Sequence, residues 1–108
     1  MRRYMIQIKY NADSAGGLVR KPQDRKPQAS LIMEKLGGSL IDFYFTFGEW
    51  DAVILVELES DVAALAVALA DVAGGVGNTL VTPLISMDDA VAAMTVAKNI
   101  DYSAPGAR

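Results

Sequence analysis

Two apolar runs in the middle of the chain, Leu40–Phe47 and Asp51–Leu58, are joined by a Gly-Glu pair. Both runs are rich in aromatic and β-branched residues, which are typical of β-strands. Gly48 can adopt the positive φ that the first central position of a type II′ turn requires. We therefore predict a β-hairpin with a two-residue loop, in which Phe47 pairs with Trp50.

This register gives the hairpin two different faces, because side chains alternate along a strand. The face predicted to pack against helices is wholly apolar: Ile41, Phe43, Phe45, Phe47, Trp50, Ala52, Ile54, Val56 and Leu58. The other face is mixed: Leu40, Asp42, Tyr44, Thr46, Asp51, Val53, Leu55 and Glu57. A shift of one residue would exchange the two faces. The centre of the mixed face is too apolar to remain in water, so we expect a second copy of the chain to cover it.

The segment before the hairpin is predicted to contain one strand and one helix. Tyr4–Tyr10 alternates, and its two isoleucines share one face. The Gly- and Pro-containing segment Asn11–Gln23 is predicted to be a loop with at most one helical turn. The helix that follows has Asp24 as its N-cap, tolerates Pro27 in its first turn and ends at a Gly-Gly pair. Its predicted apolar face consists of Ala29, Ile32, Met33 and Leu36.

The segment after the hairpin is predicted to form a helix, a strand and a further helix. Ser60 caps the first of these helices, and a Gly-Gly pair ends it. Its predicted apolar face consists of Val62, Leu65, Ala66, Leu69, Val72 and Ala73. The strand Asn78–Ser86 contains Pro83, which cannot donate to a ladder, so we place this strand at a sheet edge. Ser86 and Asp89 form a predicted capping box for a short helix that ends at about Lys98.

The elements therefore follow the order strand–helix–strand–strand–helix–strand, plus one C-terminal helix. That order is typical of the α+β ferredoxin-like fold, βαββαβ, with a four-stranded antiparallel sheet and helices on one face. With 108 residues, the chain is expected to form one domain over residues 1–98 and a C-terminal tail over residues 99–108.

The composition excludes several classes of site. The chain has no Cys and no His, which removes disulfides, thiolate ligands, the usual general base and the commonest metal ligand. Ser–His–Asp and Cys–His catalysis, ordinary zinc sites and His-ligated haem are therefore excluded. The remaining carboxylates lack EF-hand spacing, so we predict no metal and no cofactor.

Two further features bear on where the protein works. A chain without Cys is compatible with a reducing cytosol, and we expect a cytoplasmic protein. The Met-Arg-Arg start leads directly into a strand pattern, so no signal peptide is expected. The apolar run Val62–Val76 is too short for a membrane span and contains Asp71, so no membrane contact is expected.

The net charge of −3 is unevenly distributed along the chain. Residues 1–36 hold eight Lys and Arg against three acids, and the remainder holds two against ten. An acidic chain lacks the basic footprint of a nucleic-acid-binding protein, so no nucleic-acid partner is expected. Four of the bases, Arg20, Lys21, Arg25 and Lys26, precede the first long helix. They could hold an anion near the helix N-terminus, or form a solvated or intersubunit ion-pair surface.

Polar residues at one end of the hairpin form the other candidate site: Lys9, Tyr44, Trp50 and Asp51. Tyr44 and Asp51 could act as an acid–base pair if they were buried beside a substrate. Alternatively, they are hydrogen-bonded residues at the rim of an interface. We expect Asp51 to accept hydrogen bonds from nearby backbone N–H groups, from Lys9 or from both, and so to support the hairpin.

The chain resembles the GYD domain family, small bacterial proteins of the dimeric α/β-barrel group, over nearly its whole length. The name-giving Gly-Tyr-Asp motif corresponds to Gly48-Glu49-Trp50-Asp51. Three further segments resemble the family pattern: Gly17–Arg25, Leu36-Gly37-Gly38 and Thr82–Met94. Trp replaces the usual Tyr in the motif, which argues against phenol chemistry at that position.

This resemblance implies a fold and an assembly, but no settled reaction. It implies a homodimer or higher oligomer of the dimeric α/β-barrel type, with a small molecule as the other possible partner. One function it allows is a small-molecule binding or sensing module, or a structural oligomer. The alternative is a cofactor-independent monooxygenase or isomerase with a pocket between sheet and helices. We favour the first, because the sequence has no His, no Cys and no clustered acids.

Overall fold

A computed structural model describes residues 1–106 of the chain. Within them, four strands and four helices follow one another in the order β1 (Arg2–Tyr10), α1 (Ala12–Arg20), α2 (Lys26–Lys35), β2 (Ser39–Phe45), β3 (Ala52–Leu58), α3 (Asp61–Ala73), β4 (Gly77–Leu84) and α4 (Met87–Lys98). The strands form one antiparallel sheet in the order β2-β3-β1-β4. The predicted α+β ferredoxin-like fold with a four-stranded antiparallel sheet is confirmed.

One face of the sheet carries the hydrophobic core. Every second residue of β1 from Tyr4 to Ile8 is buried, and so is every second residue of β3 from Ala52 to Leu58. Met33 of α2 and two residues of α3 complete the core. This alternation confirms that Ile6 and Ile8 share one face, as predicted, and that the predicted apolar face of β3 is buried.

Among residues 1–106, no helix packs on the opposite face of the sheet. Its central residues are paired across three strands: Met5 lies opposite Leu55 on one side and Thr82 on the other. Leu80 and Leu84 of β4 are 46% and 38% exposed on the same face. The sheet therefore presents a large uncovered surface with an apolar centre.

The predicted register of the hairpin is correct in its middle and wrong at both ends. Phe45 pairs with Ala52 as predicted, but a β-bulge between Leu40 and Asp42 leaves Ile41 unpaired. The prediction of a two-residue loop is also wrong. The backbone N–H of Thr46 donates to the carbonyl of Asp51 over 2.8 Å, so residues 47–50 form a longer loop. Phe47, predicted to pack inward, is 99% exposed.

The segment predicted to be a loop after β1 contains helix α1, which corrects that prediction. Two glycines lower its helix propensity, but tertiary contacts compensate. Asn11 caps the helix by accepting from the backbone N–H of Ser14 over 2.9 Å. The side chains of Asn11 and Ser14 also donate to the carbonyl of Gly75, over 2.6 and 3.3 Å. The helix is thus tied to the segment before β4, which a local sequence pattern does not reveal.

Helix α2 begins one residue later than predicted. Arg25 occupies the N-cap position without a side-chain capping bond, and the predicted cap, Asp24, accepts instead from the backbone N–H of Lys26 over 2.9 Å. The predicted apolar face is only partly buried, since Met33 is 2% exposed but Ile32 is 47% exposed.

Helix α3 buries a different face from the predicted one. Ser60 caps the helix as predicted, but the residues that are buried against the sheet are Ala64 and Val67. The large members of the predicted stripe are exposed by 57–79%: Val62, Leu65, Leu69 and Val72. Nearly every position of α3 is apolar, so periodicity gives little information on its orientation. The packing of Ala64 and Val67 against the sheet fixes the buried face.

Strand β4 lies at an edge of the sheet, which confirms the prediction made from Pro83. It ends at Leu84, and Ser86 caps α4 by accepting from the backbone N–H of Asp89 over 3.1 Å. No residue of α4 is buried. Of the predicted tail, residues 107–108 lie outside the described part of the chain.

Candidate functional site

Lys9 and Asp51 meet where β1 ends and β3 begins. One carboxylate oxygen of Asp51 accepts from the backbone N–H of Tyr10 over 2.9 Å, and the other from Lys9 Nζ over 3.3 Å. The backbone N–H of Asp51 donates to the carbonyl of Ile8 over 2.9 Å, and Lys9 also reaches the carbonyl of Gly48. The predicted contacts of Asp51 with Lys9 and with backbone are confirmed. Both carboxylate oxygens are engaged in holding the hairpin loop to β1.

We expect Asp51→Ala to lower the free energy of unfolding by about 2 kcal/mol, because a half-buried backbone N–H and Lys9 lose their charged acceptor. The measurement is urea denaturation at pH 7. Glu49→Ala in the same loop is the matched control, because the Glu49 side chain is exposed. Equal destabilisation by the two substitutions would contradict this role of Asp51.

Tyr44 and Trp50 do not join Asp51 in an acid–base site. Tyr44 lies on the edge strand β2, where its hydroxyl donates to Asp42. That hydrogen bond raises the pKa of Tyr44 and lowers the pKa of Asp42. Trp50 is half-buried in the loop, and its carbonyl accepts from the Thr46 hydroxyl over 2.6 Å. Tyr44 and Asp51 are therefore each hydrogen-bonded to other groups, as in the alternative of hydrogen-bonded polar residues.

The four bases before the first long helix lie on different elements. Arg20 and Lys21 lie at the end of α1, and Lys26 begins α2. The Arg25 guanidinium donates to the Gln23 side-chain carbonyl over 2.8 Å. Arg25 also lines a cavity.

That cavity, of about 260 Å³, lies at the end of β1 beside α1. It is lined by Tyr10, Asp13, Ser14, Gly17, Leu18, Gln23, Arg25 and Val76. The Tyr10 ring stacks on Phe45 with 5.7 Å between ring centroids. Burial raises the pKa of Tyr10, the nearby Arg25 lowers it, and Asp71 and Asp51 raise it. The net effect is a phenol that stays protonated at neutral pH. We name this place the Tyr10 cavity.

The sequence analysis missed the Tyr10 cavity. A signal was nevertheless present, because Tyr10 has the same parity in β1 as the buried residues Tyr4, Ile6 and Ile8. A polar aromatic residue at the end of a core-facing row, together with Arg25, is the signal in the sequence that indicates this site. The position of α1, which supplies much of the lining, was not predictable from local pattern.

A larger groove, of about 910 Å³, lies at the other end of the sheet, between β1 and the start of α4. Tyr4 is 1% exposed, and its hydroxyl donates to Asp61 over 2.6 Å. This hydrogen bond raises the pKa of Tyr4. Arg2 pairs with Asp61 over 3.4 Å and Arg3 with Glu57 over 3.2 Å. Ion-pair partners are thus already present for four of its charged side chains: Arg2, Arg3, Glu57 and Asp61.

The sequence model of the GYD domain family matches residues 4–94. This chain belongs to the GYD domain family. No curated protein and no solved structure matches the chain significantly. The matched range includes both ends of the Lys9–Asp51 contact and the whole lining of the Tyr10 cavity.

Two other features are absent from the described part of this GYD domain: a cluster of metal ligands and a membrane-spanning helix. Among residues 1–106, no group of three or more acidic side chains is placed to hold a metal ion. No helix there is both long enough and apolar enough to cross a membrane.

Close to the Tyr10 cavity of the GYD domain, burial raises the pKa of Asp71 on α3. The ionised carboxylate therefore disfavours the folded state, and its cost is largest above the raised pKa. We expect Asp71→Asn to raise the free energy of unfolding at pH 7. The gain should shrink as the pH falls and vanish below about 3.9, the ordinary pKa of Asp. Thermal unfolding at a series of pH values measures the difference, with Asp101→Asn in the exposed tail as the control. A gain in the free energy of unfolding that stayed constant down to pH 3 would contradict this role of the Asp71 charge.

Proposed function

We propose that this GYD domain is a homodimeric module that binds a small organic acid in the Tyr10 cavity. The composition of the cavity carries the proposal: Arg25 supplies a positive charge and Asp13 a negative one, Tyr10 and Ser14 supply hydroxyl groups, and Leu18 and Val76 supply apolar surface. Ligand sites typically combine apolar walls with a few polar groups in this way. At about 260 Å³, the cavity lies just below the usual range of about 300–1,000 Å³. It therefore suits a molecule smaller than a nucleotide cofactor.

Binding fits the cavity better than acid–base catalysis. A general base needs a pKa near the working pH, and the raised pKa of Tyr10 keeps its phenol neutral. A neutral phenol is a hydrogen-bond donor, which suits recognition of a carboxylate. The monooxygenase or isomerase alternative would need a group able to take a proton, and the lining offers the carboxylate of Asp13 for that role, not Tyr10.

The ligand proposal is tested by titrating the native protein with a panel of small mono- and dicarboxylates in a calorimeter. Arg25→Gln should weaken binding at least tenfold, because it removes the charge and leaves a side chain of similar polarity. Lys21→Gln is the matched control, since Lys21 is exposed and does not line the cavity. The proposal fails if no carboxylate binds, or if both substitutions weaken binding equally.

The uncovered sheet face supports the homodimer. Its apolar centre is formed by Met5, Val53, Leu55 and Leu80, and a contiguous apolar surface of this kind is typical of an interaction site. Two such faces related by a two-fold axis make a self-complementary interface. Burying about 1,000 Å² per subunit at about 25 cal/mol/Å² would contribute roughly 25 kcal/mol per subunit before association costs. The Tyr10 cavity lies on the helical side, so this pairing leaves it open to solvent.

The assembly is tested by sedimentation equilibrium of the native protein at low micromolar concentration. We expect a dimer or a multiple of it. A well-folded species at the monomer mass would refute pairing through the sheet.

A further inference from the structure

Three aromatic rings form a row that ends at the Tyr10 cavity. The rings of Phe43 and Phe45 on β2 are nearly parallel, with an angle of 8° between their planes and 6.3 Å between their centroids. The ring of Phe45 stacks in turn on Tyr10 of β1, over 5.7 Å and at 26°. Both separations lie in the range in which aromatic rings attract each other. Because Tyr10 lines the cavity, the row connects the edge strand to the cavity wall.

The row lies on the helical side of the sheet, although β3 separates the two strands that carry it. Phe45 pairs with Ala52 of β3, and Ala52 pairs with Ile8 of β1. Residues paired across strands share a face of the sheet, and Ala52 belongs to the fully buried face. The small side chain of Ala52 leaves room for the rings of Phe45 and Tyr10 to meet over β3. A dimer that pairs through the other face of the sheet therefore leaves this row uncovered.

The middle ring of the row is the one most exposed to water. Phe43 and Tyr10 are half-buried and pack against the hydrophobic core. Phe45 is 60% exposed. Polar groups lie next to this apolar surface, since Ser14 and Arg25 line the cavity together with Tyr10. An apolar surface with a polar rim is typical of a ligand-binding groove.

Tyr10 brings the exposed ring and the positive charge of the cavity together. The ring of Phe45 stacks on Tyr10 from the side of β2. Arg25 is close enough for its charge to lower the pKa of Tyr10, against the larger effect of burial. A single small molecule in the cavity can therefore reach both Phe45 and Arg25.

We infer that the ligand of the Tyr10 cavity is an aromatic carboxylic acid, whose ring covers Phe45 while its carboxylate lies at Arg25. This inference rests on the proposed function of the cavity and adds the chemical class of the ligand. A planar ring on Phe45 extends the existing row by a fourth member, which a saturated ring of the same size cannot do equally well. Phe45 is thus the residue that determines specificity, and Arg25 provides affinity for any acid.

The first experiment compares benzoate with cyclohexanecarboxylate on the native protein by calorimetry at pH 7. The two acids have the same charge and the same number of ring atoms, and only benzoate has a planar aromatic ring. We expect benzoate to bind at least about threefold more tightly. If both acids bind equally, the inference is overturned and acid binding by the cavity stands. If neither acid binds, the proposed function fails and the inference fails with it.

The second experiment assigns the preference to Phe45. Phe45→Leu should abolish the preference for benzoate and change the affinity for cyclohexanecarboxylate by less than about twofold. Phe47→Leu is the matched control, because Phe47 is 99% exposed and belongs to no stacked pair among residues 1–106. It should keep the native preference. Far-UV circular dichroism checks that both variants are folded.

Arg25→Gln should have the complementary effect. It should weaken the binding of both acids by the same factor, because both lose the same positive charge, and so keep the preference for benzoate. A preference that survives in Phe45→Leu would overturn the role of Phe45. Equal loss of the preference in Phe45→Leu and Phe47→Leu would overturn it as well.

Discussion

Replacing Leu55 with Asp will leave the chain unfolded or aggregated instead of yielding a stable monomer. Leu55 lies at the centre of the uncovered sheet face, paired with Met5 on β1 and Asp42 on β2. In the proposed dimer this position is buried, so a carboxylate there would be desolvated without a cation. Removing the partner of a buried charge typically costs about 3–5 kcal/mol, and we expect a penalty of that order here. Far-UV circular dichroism and size-exclusion chromatography measure the result.

The control for Leu55→Asp is Val19→Asp. Val19 is 79% exposed at the end of α1, away from the sheet, so the same apolar-to-acid change should leave fold and mass unaltered. A soluble, folded Leu55→Asp monomer would show that the subunit does not need its partner. A native-like Leu55→Asp dimer would show that the sheet face is not the interface.

We expect Gly38→Ala to lower the free energy of unfolding by about 3 kcal/mol, because the backbone has no room for a side chain there. A Cβ at this position would lie 2.0 Å from the carbonyl oxygen of Glu57 and 2.9 Å from Leu58 Cδ2. Gly38 leads from α2 into β2, and its N–H donates to the carbonyl of Met33 over 2.9 Å. The backbone of β2 would have to move away from β3. Urea denaturation at fixed protein concentration measures the effect.

Gly17→Ala is the matched substitution with the opposite sign. A Cβ on Gly17 meets no atom within 4 Å, and the residue lies inside α1. Alanine favours the helix over glycine, so we expect the free energy of unfolding to rise by about 0.5–1 kcal/mol. If Gly38→Ala were as well tolerated as Gly17→Ala, that result would contradict the close approach of Gly38 to the backbone of β3.

Local signals in the sequence determined the order and type of most elements. Alternation defined β1 and β3, because one face of each strand packs on helices and the other does not. Ser60 and Ser86 marked the starts of α3 and α4, because their side chains accept from backbone N–H groups only a few residues away. Pro83 marked the edge strand, because a missing donor is harmless only there. Each of these signals acts within one turn or one strand.

The Lys9–Asp51 contact was also predictable, because a strand order of the ferredoxin-like type places the end of β1 beside the start of β3. The Tyr10 cavity was not. It depends on α1, whose glycines weaken its local signal and whose cap is tied to Gly75, 64 residues away. The bulge at Ile41 and the longer hairpin loop likewise depend on how β2 fits the twisted sheet.

Only the tertiary structure decided which face of α3 is buried and where α4 lies. Helix α3 is apolar almost all round, so its sequence permits several orientations, and close packing of Ala64 and Val67 on the sheet selects one. Helix α4 has a clear apolar stripe, formed by Met87, Ala90, Val91 and Met94, but the sequence does not say what covers it. The sequence determined the elements because their signals are local. The tertiary structure decided the cavity, the bulge and the exposed helix faces, because these depend on contacts between residues far apart in the chain.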